Sequence, residues 1–162
     1  MSPHRPLALL LFFASAIVLA ACDQREVEKV VRVTDVKTGF FDAGIVDGQN
    51  KLVPSVSFRL QNVSQEPIAR VQVNAVFRIV DDERVWGDRL IRGIESDGLD
   101  AGVIGKTHIV RSPRGYTGTQ SRAEMLKNKE FVDVKVDLFA RHGSRTWAKI
   151  GEFTIERRLL TE

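Results

Sequence analysis

Apolar residues in this chain recur at every second position, and that period decides what the chain can build. Val56, Phe58 and Leu60 alternate with Ser57, Arg59 and Gln61. A period of two puts the apolar side chains on one face of an extended strand and the polar ones on the other. Val71, Val73, Ala75, Phe77 and Ile79 repeat the pattern, with Gln72, Asn74 and Arg78 between them. Ser64-Gln65-Glu66-Pro67 separates the two runs and reads as a turn, so they are expected to pair as an antiparallel hairpin. A second hairpin alternates Val132, Val134, Val136 and Leu138 with Asp133, Lys135 and Asp137. It turns at His142-Gly143-Ser144 and returns through Trp147, Ile150, Phe153 and Ile155. Gly151 sits where that period slips, which predicts a bulge.

Weaker strand patterns cover residues 30–36, 84–92 and 106–111. Only residues 121–128, through Arg122, Ala123, Glu124, Met125 and Leu126, have helix-forming composition. About seven short strands and one small helix predict an all-β antiparallel sandwich, not βαβ units. The chain has a single Cys, so no intrachain disulfide can support that core and no CxxC metal or redox site exists.

The one Cys follows the most apolar stretch of the chain. From Leu7 to Ala21 only Ser15 is polar, and Arg5 is the only charge before Cys22. That run is shorter than the ~20 residues of a stable membrane span. A basic start, a short apolar segment and small residues at its end are the marks of an export signal. Leu19-Ala20-Ala21-Cys22 resembles the lipobox of bacterial lipoproteins. The resemblance implies cleavage between Ala21 and Cys22 and a diacylglyceryl thioether on Cys22. A thiolate is a good nucleophile for that transfer. It also implies that Asp23 acts as an inner-membrane retention signal, as in enteric-type bacteria.

The expected organisation is therefore a signal peptide at 1–21, the lipidated Cys and a short tether at 22–28, and one domain at 29–162. Removing the leader takes Arg5 with it and lowers the net charge from +3 to +2. That balance, without a block of like charges, argues against nucleic acid despite a sequence pI near 9.2. Weak attraction to anionic lipid headgroups fits better.

Val56-Ser57-Phe58-Arg59-Leu60-Gln61-Asn62-Val63-Ser64, with Pro67-Ile68 and Val71-Gln72-Val73 after it, is similar to the central passage of immunoglobulin-like domains of the FxLYD and CARDB kind. Leu99-Asp100-Ala101-Gly102 resembles their later Leu-x-x-Gly turn. The resemblance implies an immunoglobulin-like sandwich acting in adhesion or assembly. Asn62-Val63-Ser64 also matches a glycosylation sequon, but Asn62 is read here as a turn-stabilising residue.

Catalytic chemistry has few carriers. His108 and His142 are the only conventional bases after the leader. His108 reads as an ordinary strand-face residue and His142 as a turn residue. No Gly-x-Ser-x-Gly elbow, His-Glu-x-x-His pair or phosphate loop is present. Glu95, Asp97 and Asp100 lack the acid ladder and distal Glu of a calcium loop. Trp86 and Trp147 could form a sugar platform, but each lies in a strand pattern that suits core packing.

The expectation is a non-enzymatic, lipid-anchored envelope protein without cofactors, contacting a membrane-proximal protein. The alternative is a periplasmic small-ligand or glycan carrier. The candidate interaction loop is Arg111-Ser112-Pro113-Arg114-Gly115-Tyr116-Thr117-Gly118, followed by Arg122. Arg and Tyr are enriched in binding hot spots, and rigid sandwiches bind through loops. A structural role for Tyr116, pinning backbone like a tyrosine corner, is the competing reading.

Overall fold

A computed structural model describes residues 26–82 and 84–160. Cys22, Ala21 and Asp23 lie outside the described residues. Among the described residues the chain forms eight strands: β1 (Val31–Val46), β2 (Gln49–Asn62), β3 (Val71–Ile79), β4 (Val85–Ile94), β5 (Ile104–Arg111), β6 (Tyr116–Gly118), β7 (Val134–His142) and β8 (Ala148–Thr154). Two short helices accompany them, α1 (Val27–Val30) and α2 (Arg122–Lys127). One sheet has the order β1-β2-β5, with β6 paired to the start of β2; the other has the order β4-β3-β7-β8. All pairings between these strands are antiparallel, and the two sheets make an all-β sandwich.

The alternating residues do face a common core. Phe58, Leu60, Val71, Val73, Phe77, Val134, Val136 and Leu138 are all fully buried. The expected pairing of 56–60 with 71–79 is wrong, however. β2 belongs to one sheet and β3 to the other. Period two reports which face is buried, and it reads the same whether two strands lie side by side or face each other across the core. Residues 63–70 form an arch between the sheets, not a hairpin loop.

Asn62 holds that arch. It has no exposed surface. Its Nδ2 donates to the carbonyls of Glu66 at 2.8 Å and Leu99 at 2.9 Å. Its Oδ1 accepts from the Ser64 amide at 3.0 Å and the Ser64 hydroxyl at 2.7 Å. Its own backbone pairs with Val103 and Gly102 in the 95–103 loop. The turn-stabilising role read from the sequence is what the structure shows.

A hairpin absent from the sequence reading joins β1 and β2. Val46 pairs with Gln49 across a two-residue turn, Asp47-Gly48, with φ of 50° and 75°. Both turn residues having positive φ suits the right-handed strand twist, and Asp-Gly is a preferred pair there. The opening strand is thus sixteen residues long, not the seven of 30–36. Val27 is already packed in the core, so the folded part begins ahead of Lys29.

The second hairpin is as expected. Leu138 pairs with Gly151 and Phe139 with Lys149, which leaves Ile150 as the extra residue of a bulge beside Gly151. Val132 departs from its expected inward place: it precedes β7 and is 42% exposed. α2 forms where expected. Ser121 caps it, accepting from the Glu124 amide while the Glu124 carboxylate accepts from the Ser121 amide. The Ser121 hydroxyl, and then the Ser121 amide, donate to the Glu124 carboxylate and hold it below its ordinary range.

Replacing Asn62 with Ala should cost about 2–4 kcal/mol of stability, because two buried carbonyls and the Ser64 donors lose their partners together. Urea unfolding checks this. Ser64→Ala, which removes a single hydroxyl from the group, should cost less than half as much.

Candidate functional site

Alternating strand directions sort the loops into two poles. Val31, Asn62, Val71, Ile94, Ile104, His142 and Ala148 share one pole with α1. The β1–β2 turn, the β3–β4 turn and residues 112–133 lie toward the other. β3 has nine residues, so at ~3.3 Å per residue the poles are roughly 27 Å apart. The candidate loop is therefore at the pole opposite the point where the chain enters the fold.

Arg111 ends β5, and its guanidinium lies 3.4 Å from the centroid of the Phe41 ring. Ser112 is buried; its amide donates to the Pro54 carbonyl at 2.8 Å, and its hydroxyl accepts from the Arg114 amide at 3.2 Å. Pro113 packs against Gly87 of β4, where an added Cβ would come within 3.0 Å of the proline ring. Gly115 passes so close to β2 that a Cβ there would meet the Leu52 carbonyl at 2.3 Å. The Pro and Gly of this loop exist to let it cross one end of the sandwich tightly.

Tyr116 then pairs with Leu52 as the first residue of β6. Its ring sits 4.2 Å from Phe131, 5.0 Å from Trp86 and 6.1 Å from Phe40, centroid to centroid. Its hydroxyl donates to the Val132 carbonyl at 2.7 Å. Burial, aided by the charge of Asp133, pushes the phenol up to about 12. The structural reading of Tyr116 describes this geometry: it pins the segment leading into β7. Arg122 forms an ion pair with Asp42 of β1. Of the four candidate residues, three are engaged with the fold, and Arg114 is exposed on the pole.

The same pole carries apolar surface that the sequence reading did not single out. Ile45 is 70% exposed and Val46 38%, both at the end of the β1–β2 hairpin. Asp47-Gly48 was the available signal, since it marks a hairpin and so places the residues before it at a tip.

Elsewhere the residues weighed for chemistry take structural places. His108 is a strand-face residue on the inner face of β5, buried, with its ring 5.5 Å from Phe58. Burial holds its pKa below the ordinary 6.5. Glu95 lies 3.7 Å from Arg92 and 3.8 Å from Lys106, and no group of three or more metal-ligating side chains occurs among the described residues. Trp86 packs against the core, and Trp147 lies under Arg141, whose guanidinium is 4.7 Å from the ring centroid. Two open grooves of about 400 Å³ each lie at the α1 pole, one beside Arg70 and Arg92 and one beside Glu28 and Trp147. Among the described residues no helix is long and apolar enough to cross a membrane.

No protein-family model matches this chain, and no curated protein matches it. Among solved structures it is similar to one titled "X-ray structure of Northeast Structural Genomics Consortium target SoR45", at 12% identity. That match covers 80% of this chain and 89% of the other, with a TM-score of 0.47.

Two expectations follow. Tyr116→Phe should lose about 1 kcal/mol through the missing hydrogen bond. Tyr116→Ala should lose about 3 kcal/mol, while Arg114→Ala stays within about 0.5 kcal/mol; thermal unfolding separates them. His108 gives a pH signature. Its folded-state pKa is depressed, so the unfolded chain binds the proton first and stability falls as pH drops below about 6.5 toward the folded value. Relative to His108→Gln, the parent should lose stability between pH 7.5 and pH 5; parallel stability curves would contradict this.

Proposed function

We propose that this protein is a lipid-anchored component of the bacterial cell envelope whose sandwich is a non-catalytic interaction module. The Leu19-Ala20-Ala21-Cys22 pattern supports the anchor. The observation that carries the module reading is the division between poles. Val27 enters the core at one pole, and exposed Arg114, Ile45 and Val46 lie at the other. Between Cys22 and Val27 stand four residues, which span at most ~14 Å. The domain stays near its membrane with the Arg114 pole free to turn outward, and a partner protein within that short reach is the expected target. Asp23 favours the inner membrane.

The carrier alternative has less behind it. Phe40, Phe58, Phe77, Leu52 and Leu138 fill the space between the sheets with side chains of 1% exposure or less. A carrier instead needs a concave apolar site that encloses most of its ligand.

Cys22→Ser should abolish lipid attachment and shift the protein from the detergent phase to the aqueous phase, or leave it unprocessed. Processing and membrane retention like the parent would overturn the anchor. Asp23→Ser should redistribute the protein between membranes on fractionation, and an unchanged distribution removes the sorting role. Arg114→Ala should weaken capture of a crosslinked partner at parental thermal stability; undiminished capture excludes Arg114 from the contact.

A further inference from the structure

The sides of a sandwich are where its sheets end, and here one side is closed by the chain's own later residues. At the β1–β8 side the Thr38 hydroxyl donates to the Thr154 carbonyl at 2.9 Å and accepts from the Glu156 amide at 3.1 Å. Residues 158–160 run parallel to β1, the Phe40 amide donating to the Arg158 carbonyl and the Leu160 amide donating to the Phe40 carbonyl. On the other side β4 and β5 end their sheets, with no described strand paired to their outer edges. His108 lies beside the backbone of Gly93 near one end of β4, and Pro113 packs on Gly87 near the other. Between these fences, residues 88–92 pair with β3 on one side, and no described strand pairs with the other. A row of unpaired edge amides and carbonyls is a template for another strand.

The side chains on that stretch have an order. Asp88, Leu90 and Arg92 stand opposite Val76, Asn74 and Gln72 of β3, so all three share the outer face of the sheet. Leu90 is 53% exposed. The Arg92 side chain is 80% exposed, with only a 3.7 Å contact to Glu95. Read antiparallel to itself about Leu90, the segment is self-complementary: Asp88 faces Arg92, Leu90 faces Leu90, and Arg92 faces Asp88. Centring the pairing on 88, 89 or 92 instead sets like charges opposite each other, which is destabilising, and centring on Ile91 pairs no charges at all. Within this stretch only the register about Leu90 sets opposite charges face to face.

We propose that a second copy of this chain docks at this edge, β4 pairing antiparallel with β4 about a two-fold axis at Leu90 and joining two four-stranded sheets into one. The interface is isologous: the same five residues serve both sides. It is short, so association is weak in dilute solution. Confinement of both copies near one surface would raise their effective concentration. The proposal does not depend on the anchor or on the Arg114 pole.

The test uses the full chain, extracted in detergent. Across an antiparallel pair the two facing Cα atoms are ~4.5–5.5 Å apart, within disulfide range. Leu90→Cys should give a covalent homodimer under mild oxidation. Ile109→Cys, which is more exposed but on β5, and the parent with Cys22 alone should not. In sedimentation velocity, Arg92→Asp and Asp88→Arg should each weaken self-association roughly tenfold through like-charge repulsion. The double variant, which restores opposite charges, should return it to near the parental value. All four substitutions are on exposed positions, and parental thermal unfolding confirms that each variant is folded. Leu90→Cys crosslinking no better than Ile109→Cys, crosslinking of Leu90→Cys to a different protein only, or a double variant no better than the singles would each overturn the proposal.

Discussion

A side-chain amide with no exposed surface holds this sandwich at its most demanding point, where the chain leaves one sheet and enters the other. Residues 63–70 must turn close to the core, and backbone groups turned away from water need partners. Asn62 meets that need at one position: two donors to Glu66 and Leu99, one acceptor for the Ser64 amide and hydroxyl, and its own backbone tied to Gly102 and Val103. The Ile68–Leu99 bridge extends the same tie. An aliphatic residue at 62 would pack but leave the arch unbonded. With the arch in place, β2 and β3 face each other and Phe58, Leu60, Val73 and Phe77 contribute to one core.

The opposite pole is closed by aromatic packing. Phe40, Trp86, Tyr116 and Phe131 come from β1, β4, β6 and the segment before β7. The Tyr116 hydroxyl satisfies the Val132 carbonyl, where backbone leaves the cluster to start a strand. The cluster makes the pole rigid, and a rigid pole can present Arg114 and the β1–β2 tip in a fixed arrangement. A buried polar network on the outer face of the second sheet has the same effect. Burial works against ionisation of Asp137, but hydrogen bonds from Lys149 and Arg78 override it and hold its pKa low.

The strand edges show which contacts the fold reserves. β1 is covered by the chain's own last described residues, and Gly39 permits it: a Cβ there would meet Leu160 at 2.8 Å and the Arg158 carbonyl at 2.9 Å. β8 is tied to β1 through Thr38. The outward run of β4 instead carries Asp88, Arg89 and Arg92 around Leu90. Charges on an edge discourage unspecific pairing, and mixed signs discourage it in all registers but a few.

The residues alone carried the class of fold, most strand faces, the short helix and the role of Asn62. These are local: alternation, helix-forming composition and an amide before a turn depend on residues a few positions apart. Only the tertiary structure decided which strands are neighbours. Burial of alternate residues is identical for strands paired in one sheet and strands opposed across a core, so the run at 56–60 and the run at 71–79 could not be told apart from a hairpin. The candidate loop divided in the same way. Its Arg, Tyr and Gly were visible, but whether Tyr116 faced solvent or Phe131 depended on a segment 15 residues further on, and whether Arg122 met Asp42 on one 80 residues back. Arg114 stayed exposed because no described residue covers it, and that is a property of three-dimensional neighbours, not of sequence.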